Sequence, residues 1–238
     1  MADDIFLSQE EQDEKAKKWL KENGMAIGLG IALGLGGIFG YNQYRDYRAS
    51  QAIQASALFE QVLNLVESSN LSNVSTLVTQ LKDDHAGTSY AAKAALVQAK
   101  QLSVTDPGEA LKELDWVMNN SAERPIWHTA NIRKARLLLA QGDDLEQVIG
   151  LVPSQEKEGF DSHYHEILGD AYAKQGDSEQ AAEMYQAAID SLTQSEVGYG
   201  RVLSLKMNHL ALAENESETD ETAVDTEESV TVVDEDQG

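Results

Sequence analysis

The feature that most constrains this chain is a run of 22 residues, 23–44, without one charged side chain. As an α-helix it would extend about 33 Å, at ~1.5 Å per residue, which matches the hydrocarbon core of a bilayer. A buried helix of a soluble core seldom runs so long without a charge, and a cleavable signal peptide places basic residues close to its start. Here the first basic residue is Lys15, and tyrosines follow the run instead of a small-residue cleavage site. We therefore predict a permanent transmembrane helix over residues 23–44.

Aromatic and basic residues flank this run in the pattern of a membrane anchor. Trp19 precedes it, and Tyr41 and Tyr44 close it, as interfacial aromatic residues do. Because basic residues accumulate on the cytoplasmic side of a span, an excess of lysine before the run predicts a cytoplasmic segment 1–22 and an external body. The lysines before the run are Lys15, Lys17, Lys18 and Lys21, and the arginines after it are Arg45 and Arg48.

Small residues recur at four-residue spacing within the run. A helix surface without side chains lets a second helix approach closely, which strengthens packing in lipid. The spacing favours docking on a membrane partner or on a second copy of the chain, although glycine is also common in solitary membrane helices. The residues that we assign to helix packing are Gly24, Gly28, Gly30, Gly34, Gly36 and Gly40.

The charge of the chain limits its partners. With 18 basic and 41 acidic residues the net charge is −23, which opposes sequence-independent binding to nucleic acid. The chain has no cysteine, which excludes disulfides and thiolate metal sites. Eleven of the acids and no basic residue lie in segment 214–238, which we expect to be a disordered, solubilising tail. The alternative there is a short docking segment around Val230, Val232 and Val233.

Between the span and the tail, residues 45–213 carry helical periodicity, so we predict an all-α body. Thr88 or Ser89 and Asp177 are predicted N-caps, with Gln180 completing a capping-box pattern after Asp177. Asp106-Pro107 is predicted to start a helix with Pro107 in its first turn. The predicted helices cover residues 49–66, 71–81, 89–102, 107–118, 126–140, 144–152, 162–175, 177–192 and 195–213.

Two Gly-Asp turns, at Gly142 and Gly176, lie 34 residues apart, which is the period of the tetratricopeptide repeat. The later unit carries small and aromatic residues in the order that this helical hairpin requires, although His165 and Thr193 replace the usual Trp and Pro. We predict a degenerate tetratricopeptide-repeat-like α-solenoid of about three repeats rather than a non-repeating bundle. The residues assigned to the repeat motif are Leu168, Gly169, Tyr172, Gly176, Ala181, Tyr185 and Ala188.

Four segments in this order resemble one family. They are KKWLKENG at 17–24, YNQYRDYRASQAIQAS at 41–56, LGDAYAKQGDSEQAAEMYQAAI at 168–189 and LSLKMNHLAL at 203–212. Together they make residues 10–213 similar to the YfgM-like family of ancillary SecYEG translocon subunits. Relatives typically end soon after the closing helix, so the resemblance does not extend to segment 214–238.

The resemblance implies a cell inner membrane protein with one span, a cytoplasmic N-terminus and a periplasmic repeat domain over 45–213. It also implies association with the SecYEG translocon and with a PpiD-like membrane-anchored periplasmic chaperone. The expected role is to help pass newly translocated proteins to periplasmic chaperones. The alternative is a negative regulator of an envelope stress-signalling protein, acting through residues 1–22.

No pattern of catalytic chemistry occurs in the sequence. There is no phosphate-binding loop, nucleophile elbow or H-E-x-x-H motif, so we expect neither an enzyme nor a cofactor. His163 and His165 stand two apart and would diverge by about 200° on a helix, so they predict a polar helix start and not a metal site. Trp116 and Trp127 are expected to fill the interior or line a groove.

Overall fold

The computed structural model describes residues 9–68, 70, 73–142, 145–154, 157–196 and 198–211. Segment 214–238, residues 1–8 and the pair Asp143 and Asp144 therefore lie outside the described residues. The described residues form helices and turns without a strand, which confirms the all-α class. The chain divides into two units, Met1–Ala57 and Leu58–Gly238.

The first long element is α1, a continuous helix over Gln9–Glu67. The predicted boundaries of the span, at residues 23 and 44, both fall inside it, and the predicted helix 49–66 is its direct continuation. No proline interrupts this stretch, so the backbone hydrogen bonds continue through both boundaries.

Among the residues that the structure describes, eight shorter helices follow α1. They are α2 (Val74–Asp84), α3 (Ser89–Thr105), α4 (Pro107–Asn120), α5 (Arg124–Gln141), α6 (Leu145–Gly150), α7 (Asp161–Gln175), α8 (Ser178–Asp190) and α9 (198–211). A 3₁₀ turn, Gln194–Glu196, precedes α9.

The predicted helix starts at Thr88, Asp106 and Asp177 are confirmed, and each of these three side chains caps its helix. The Thr88 hydroxyl accepts a hydrogen bond from the Ala91 amide, and Asp106 accepts one from the Glu109 amide with Pro107 in the first turn. Asp177 accepts from the Gln180 amide at 3.0 Å, and the Gln180 side chain donates to its second oxygen. These contacts satisfy amides that have no partner within the helix.

The predicted turns at Gly142 and Gly176 are also confirmed, because these residues end α5 and α7 in the left-handed region, with φ of 76° and 82°. Glycine adopts this conformation without the steric cost that a Cβ imposes.

The helices of the second unit pack as successive antiparallel neighbours. α3 packs on α4, α4 on α5 and α7 on α8, and α5 also contacts α3 and α7. Alanine dominates the buried face of α3, which permits close packing. One core cluster joins α5, α6 and α7 around Tyr164 and Ile167, and another joins α8 and α9 around Tyr185 and Leu203.

Several predicted helix boundaries differ from the structure by two or three residues. In the described chain α2 begins at Val74 rather than residue 71, and α6 ends at Gly150 rather than residue 152. α9 begins at 198 rather than 195. Here Glu196 accepts hydrogen bonds from the amide and hydroxyl of Thr193, which close a separate 3₁₀ turn before the helix.

Candidate functional site

The first candidate surface is the apolar part of α1. This is the one described helix that is long and apolar enough to cross a membrane, and none of its apolar window is buried. Met25 is 89 % exposed and Phe39 72 % exposed. A Cβ placed on any glycine of this stretch would meet nothing within 4 Å. The predicted packing glycines therefore form open surface.

Helical geometry distributes these glycines over three faces. The pairs Gly24/Gly28, Gly30/Gly34 and Gly36/Gly40 follow one another at intervals of six residues. At about 100° per residue, six residues rotate the surface by about 600°, so neighbouring pairs point about 120° apart. The stripe of Gly30 and Gly34 and the stripe of Gly36 and Gly40 thus point in different directions.

On the third face, which begins with Gly24 and Gly28, large apolar residues follow in the next turns of the helix. Ile31, Leu35 and Ile38 lie between the two stripes, and they are 58 %, 64 % and 61 % exposed. Their side chains would keep a neighbouring helix at a greater distance than glycine does. This face is the natural reference surface for any test of the two glycine stripes.

The second candidate surface is built on the hairpin of α7 and α8. Gly169 lies directly against the ring of Tyr185, so that a Cβ at Gly169 would be 2.6 Å from two ring carbons. Ala181 and Ala188 are fully buried beside Tyr185, and Tyr172 packs against this cluster. The order of small and aromatic residues along the sequence therefore corresponds to the crossing of the two helices. Leu168, the remaining motif residue, is half-buried.

A polar network joins α5, α7 and α9 around Glu166. Arg136 Nη2 lies 2.5 Å from one carboxylate oxygen, Tyr199 donates to the same oxygen, and Lys206 donates to the other at 2.8 Å. Lys206 also donates to both oxygens of Asp170. Glu166 is only 5 % exposed, so this network ties α9 to the repeat hairpin through a buried charge.

The electrostatics of Glu166 follow from these contacts. Burial raises the pKa of Glu166, but the hydrogen bonds from Lys206 and Tyr199 and the charges of Arg136 and Lys206 outweigh it and hold the pKa below its usual value. Burial, and then the hydrogen bond to the same carboxylate, raise the pKa of Tyr199. The network is therefore an ionised carboxylate held by two cations and a neutral phenol.

A second buried polar group lies between α5 and α7. His128 is fully buried, its Nδ1 lies 2.7 Å from the Tyr164 hydroxyl, and its ring stacks on Phe160. Asn131 donates to the same hydroxyl and to the Leu151 carbonyl. Burial, and then the charge of Arg124, lower the pKa of His128. The imidazole is thus held neutral at neutral pH.

Residues 163–166 lie in the first turns of α7, which begins at Asp161, but this segment is more buried than a polar helix start implies. Tyr164 and Ile167 are fully buried in the core, and Glu166 is nearly so. His163 contacts the Tyr199 hydroxyl, whereas His165 contacts Lys157 and Ser191, so the two imidazoles face different surroundings. Within the described ranges no group of three His, Asp or Glu side chains is arranged to hold a metal ion.

Both tryptophans of the repeat region are half-buried under a cation. Lys82 lies 5.2 Å from the Trp116 ring centre, and Arg124 lies 4.9 Å from that of Trp127.

Sequence reasoning missed Arg136, Tyr199 and Lys206 as a group because they lie up to 70 residues apart in the chain. The one available signal was a carboxylate at position 166 between residues that the repeat pattern places in the core.

Comparison with known proteins supports the same architecture. A Haemophilus influenzae protein named ancillary SecYEG translocon subunit is 25 % identical over 205 residues, which are 86 % of this chain and 98 % of the relative. Proteins of the same name from Escherichia coli and Neisseria gonorrhoeae are 20 % and 24 % identical, over 88 % and 86 % of this chain and 100 % and 98 % of theirs. No solved structure gives a significant match.

The fold and these surfaces define a helical repeat protein that carries one long apolar helix. The model of the tetratricopeptide repeat-like domain family matches residues 17–212, and the chain belongs to this family. The relatives also confirm the resemblance to ancillary SecYEG translocon subunits.

Proposed function

We propose that this protein is a membrane-anchored, non-enzymatic interaction scaffold that associates with the SecYEG translocon. The observation that carries the proposal is the length of the match, because relatives of that name align over 98–100 % of their own chains. A scaffold needs accessible contact surfaces rather than reactive groups. The glycine stripes of α1 and the stacked hairpins are such surfaces.

The proposed arrangement places residues 1–22 in the cytoplasm, residues 23–44 in the inner membrane and residues 45–213 in the periplasm. The excess of lysine before the span supports this orientation. The exposure of the apolar side chains between residues 25 and 44 supports a lipid environment, since such a surface is unfavourable in water.

In this proposal the span docks on the translocon through one glycine stripe. The second stripe, about 120° away, holds a second membrane protein such as a PpiD-like anchored chaperone, or a second copy of the chain. The repeat domain then passes newly translocated proteins to periplasmic chaperones. Anchoring raises its local concentration at the channel exit, which favours contact with emerging chains.

Site-specific photocrosslinking in membranes tests the proposal. A photoreactive residue replaces Gly34 or Gly40, and matched controls replace Leu35 or Ile38 on the third face. We expect crosslinks to translocon subunits from at least one glycine position and several-fold fewer from the controls. Equal crosslinking from all faces would contradict docking through a stripe, and no translocon product from any position would contradict the association itself.

A topology reporter fused after Ala213 tests the orientation separately. We expect activity of a reporter that functions only in the periplasm. Activity of a cytoplasmic reporter at this position would place the repeat domain on the wrong side of the membrane for chaperone transfer.

A further inference from the structure

A groove between α3 and α5 stands out in this acidic protein because cations surround it. Its volume is about 480 Å³. Ala99 and Leu114, both nearly fully buried, form its apolar floor together with Leu137. The charged residues that line it are all basic among the described residues, namely Lys100, Arg133 and Arg136.

The two guanidinium groups of the groove are held in place. Arg133 Nη1 donates to the Leu96 carbonyl at 3.1 Å, which fixes it against α3. Arg136 is positioned through Nη2, which bonds Glu166 and the Tyr199 hydroxyl. Burial and the neighbouring charge of Arg136 lower the pKa of Arg133, so an anion here would relieve repulsion between two fixed cations.

The chain itself contains a segment with the complementary pattern. Residues 227–236 read EESVTVVDED, in which three valines stand between two acids on one side and three on the other. An apolar centre with acidic flanks matches an apolar floor with a basic rim. The whole segment 214–238 carries eleven acids and no basic residue, so it has no internal cation to compete with the groove.

The chain between α9 and residues 227–236 is long enough for this segment to reach the groove. Tyr199, near the start of α9, bonds Arg136 at 3.0 Å, so α9 begins beside the groove. The 14 residues of α9 extend about 21 Å at ~1.5 Å per residue. The 19 residues from 211 to Val230 can extend up to about 63 Å at ~3.3 Å per residue, three times that distance.

We propose that residues 227–236 dock in the groove between α3 and α5 of the same chain, with Val230, Val232 and Val233 over the apolar floor and the flanking acids beside Lys100, Arg133 and Arg136. Docking within one chain benefits from a high effective concentration, so weak contacts suffice. Any acidic peptide that uses this groove would first displace the chain's own segment.

Because the chain contains no cysteine, an introduced pair can test this proposal directly. The test pair is Ser103→Cys, which lines the groove, with Val232→Cys, in the full-length protein in detergent micelles. The control pair is Val104→Cys with Val232→Cys, because Val104 is 87 % exposed and does not line the groove. Mild oxidation is followed by intact mass and peptide mapping.

We expect the test pair to form an intramolecular disulfide at least tenfold faster than the control pair. Lys100→Glu should reduce the rate several-fold, and so should 0.5 M salt, because screening weakens the ionic contacts. Lys112→Glu is the matched charge control, since this exposed residue pairs with Glu109 outside the groove, and it should leave the rate unchanged.

Equal rates for test and control pairs would overturn the proposal. A disulfide found only between two chains would overturn docking within one chain and assign the groove to a second copy. A rate that is insensitive to salt and to Lys100→Glu would overturn the ionic basis of the docking. No translocon is present in this experiment, so its result is independent of the function proposed above.

Discussion

The contact between Gly169 and Tyr185 leads to a sharp prediction for the substitution Gly169→Ala. The added methyl group would be 2.6 Å from two carbons of the Tyr185 ring, where van der Waals contact requires more than 3.4 Å. The ring cannot simply rotate away, because its hydroxyl donates to Asp170 at 2.7 Å and its body is buried among Ala181, Ala188 and Leu203. The substitution must therefore separate α7 from α8 or displace the ring.

The expected magnitude combines opposing contributions. Overpacking a buried site costs about 1–3 kcal/mol. If the ring moves, the loss of its hydrogen bond to a carboxylate adds roughly 1.5–3 kcal/mol. Alanine regains about 1 kcal/mol of helix propensity over glycine. We expect the hairpin to be destabilised by about 2 kcal/mol, which corresponds to roughly a 30-fold increase in its opening equilibrium.

Hydrogen–deuterium exchange of the full-length protein in micelles measures this change locally. Peptides from α7 and α8 should exchange about 30-fold faster in Gly169→Ala, whereas peptides from α3 should change little. The matched control is Gly108→Ala, whose Cβ meets only Asp106 Oδ1 at an ordinary 3.6 Å. If peptides from α7 and α8 exchange at the wild-type rate in Gly169→Ala, the close-packing argument is refuted.

A second substitution isolates the contact itself. In a Tyr185→Leu background the ring is absent, so Gly169→Ala should cost at least about 1 kcal/mol less than in the wild type. An unchanged cost would show that the destabilisation does not arise from the ring.

Three further predictions concern the repeat region. Glu166→Gln removes the carboxylate that pairs with Arg136 and leaves Lys206 with Asp170 alone. We expect a loss of about 2 kcal/mol in urea unfolding, below the ~3–5 kcal/mol of a fully buried pair because both cations are partly exposed. Because the pKa of His128 is lowered in the folded state, His128 contributes stability that is present above its unfolded pKa of 6.5 and is lost as the pH falls through its folded pKa. His128→Asn should therefore flatten the dependence of the unfolding free energy on pH between pH 7 and 5. Parallel pH profiles for the variant and the wild type would contradict this. Gly176→Ala should lower the unfolding free energy by roughly 1–2 kcal/mol in thermal melts, because φ of 82° is unfavourable with a Cβ; an unchanged melting temperature would refute it.

Local signals were sufficient to predict the elements of this fold. The caps at Thr88, Asp106 and Asp177 depend on side chains within three residues of the amides that they bind, so the sequence places them. The glycines at 142 and 176 end helices for a reason that is equally local. The boundary before the last helix shifted because Glu196 makes a competing local contact with Thr193.

The sequence by itself determined the class of this protein: one uncharged segment long enough to span a bilayer, followed by helices at the period of a repeat. These properties depend on spacing along the chain, which is readable without coordinates. Only the tertiary structure decided that Glu166 is a buried charge shared by Arg136 and Lys206, and that three cations line one groove. Such groups come from helices far apart in sequence, and their proximity depends on how the hairpins stack, which no local pattern specifies.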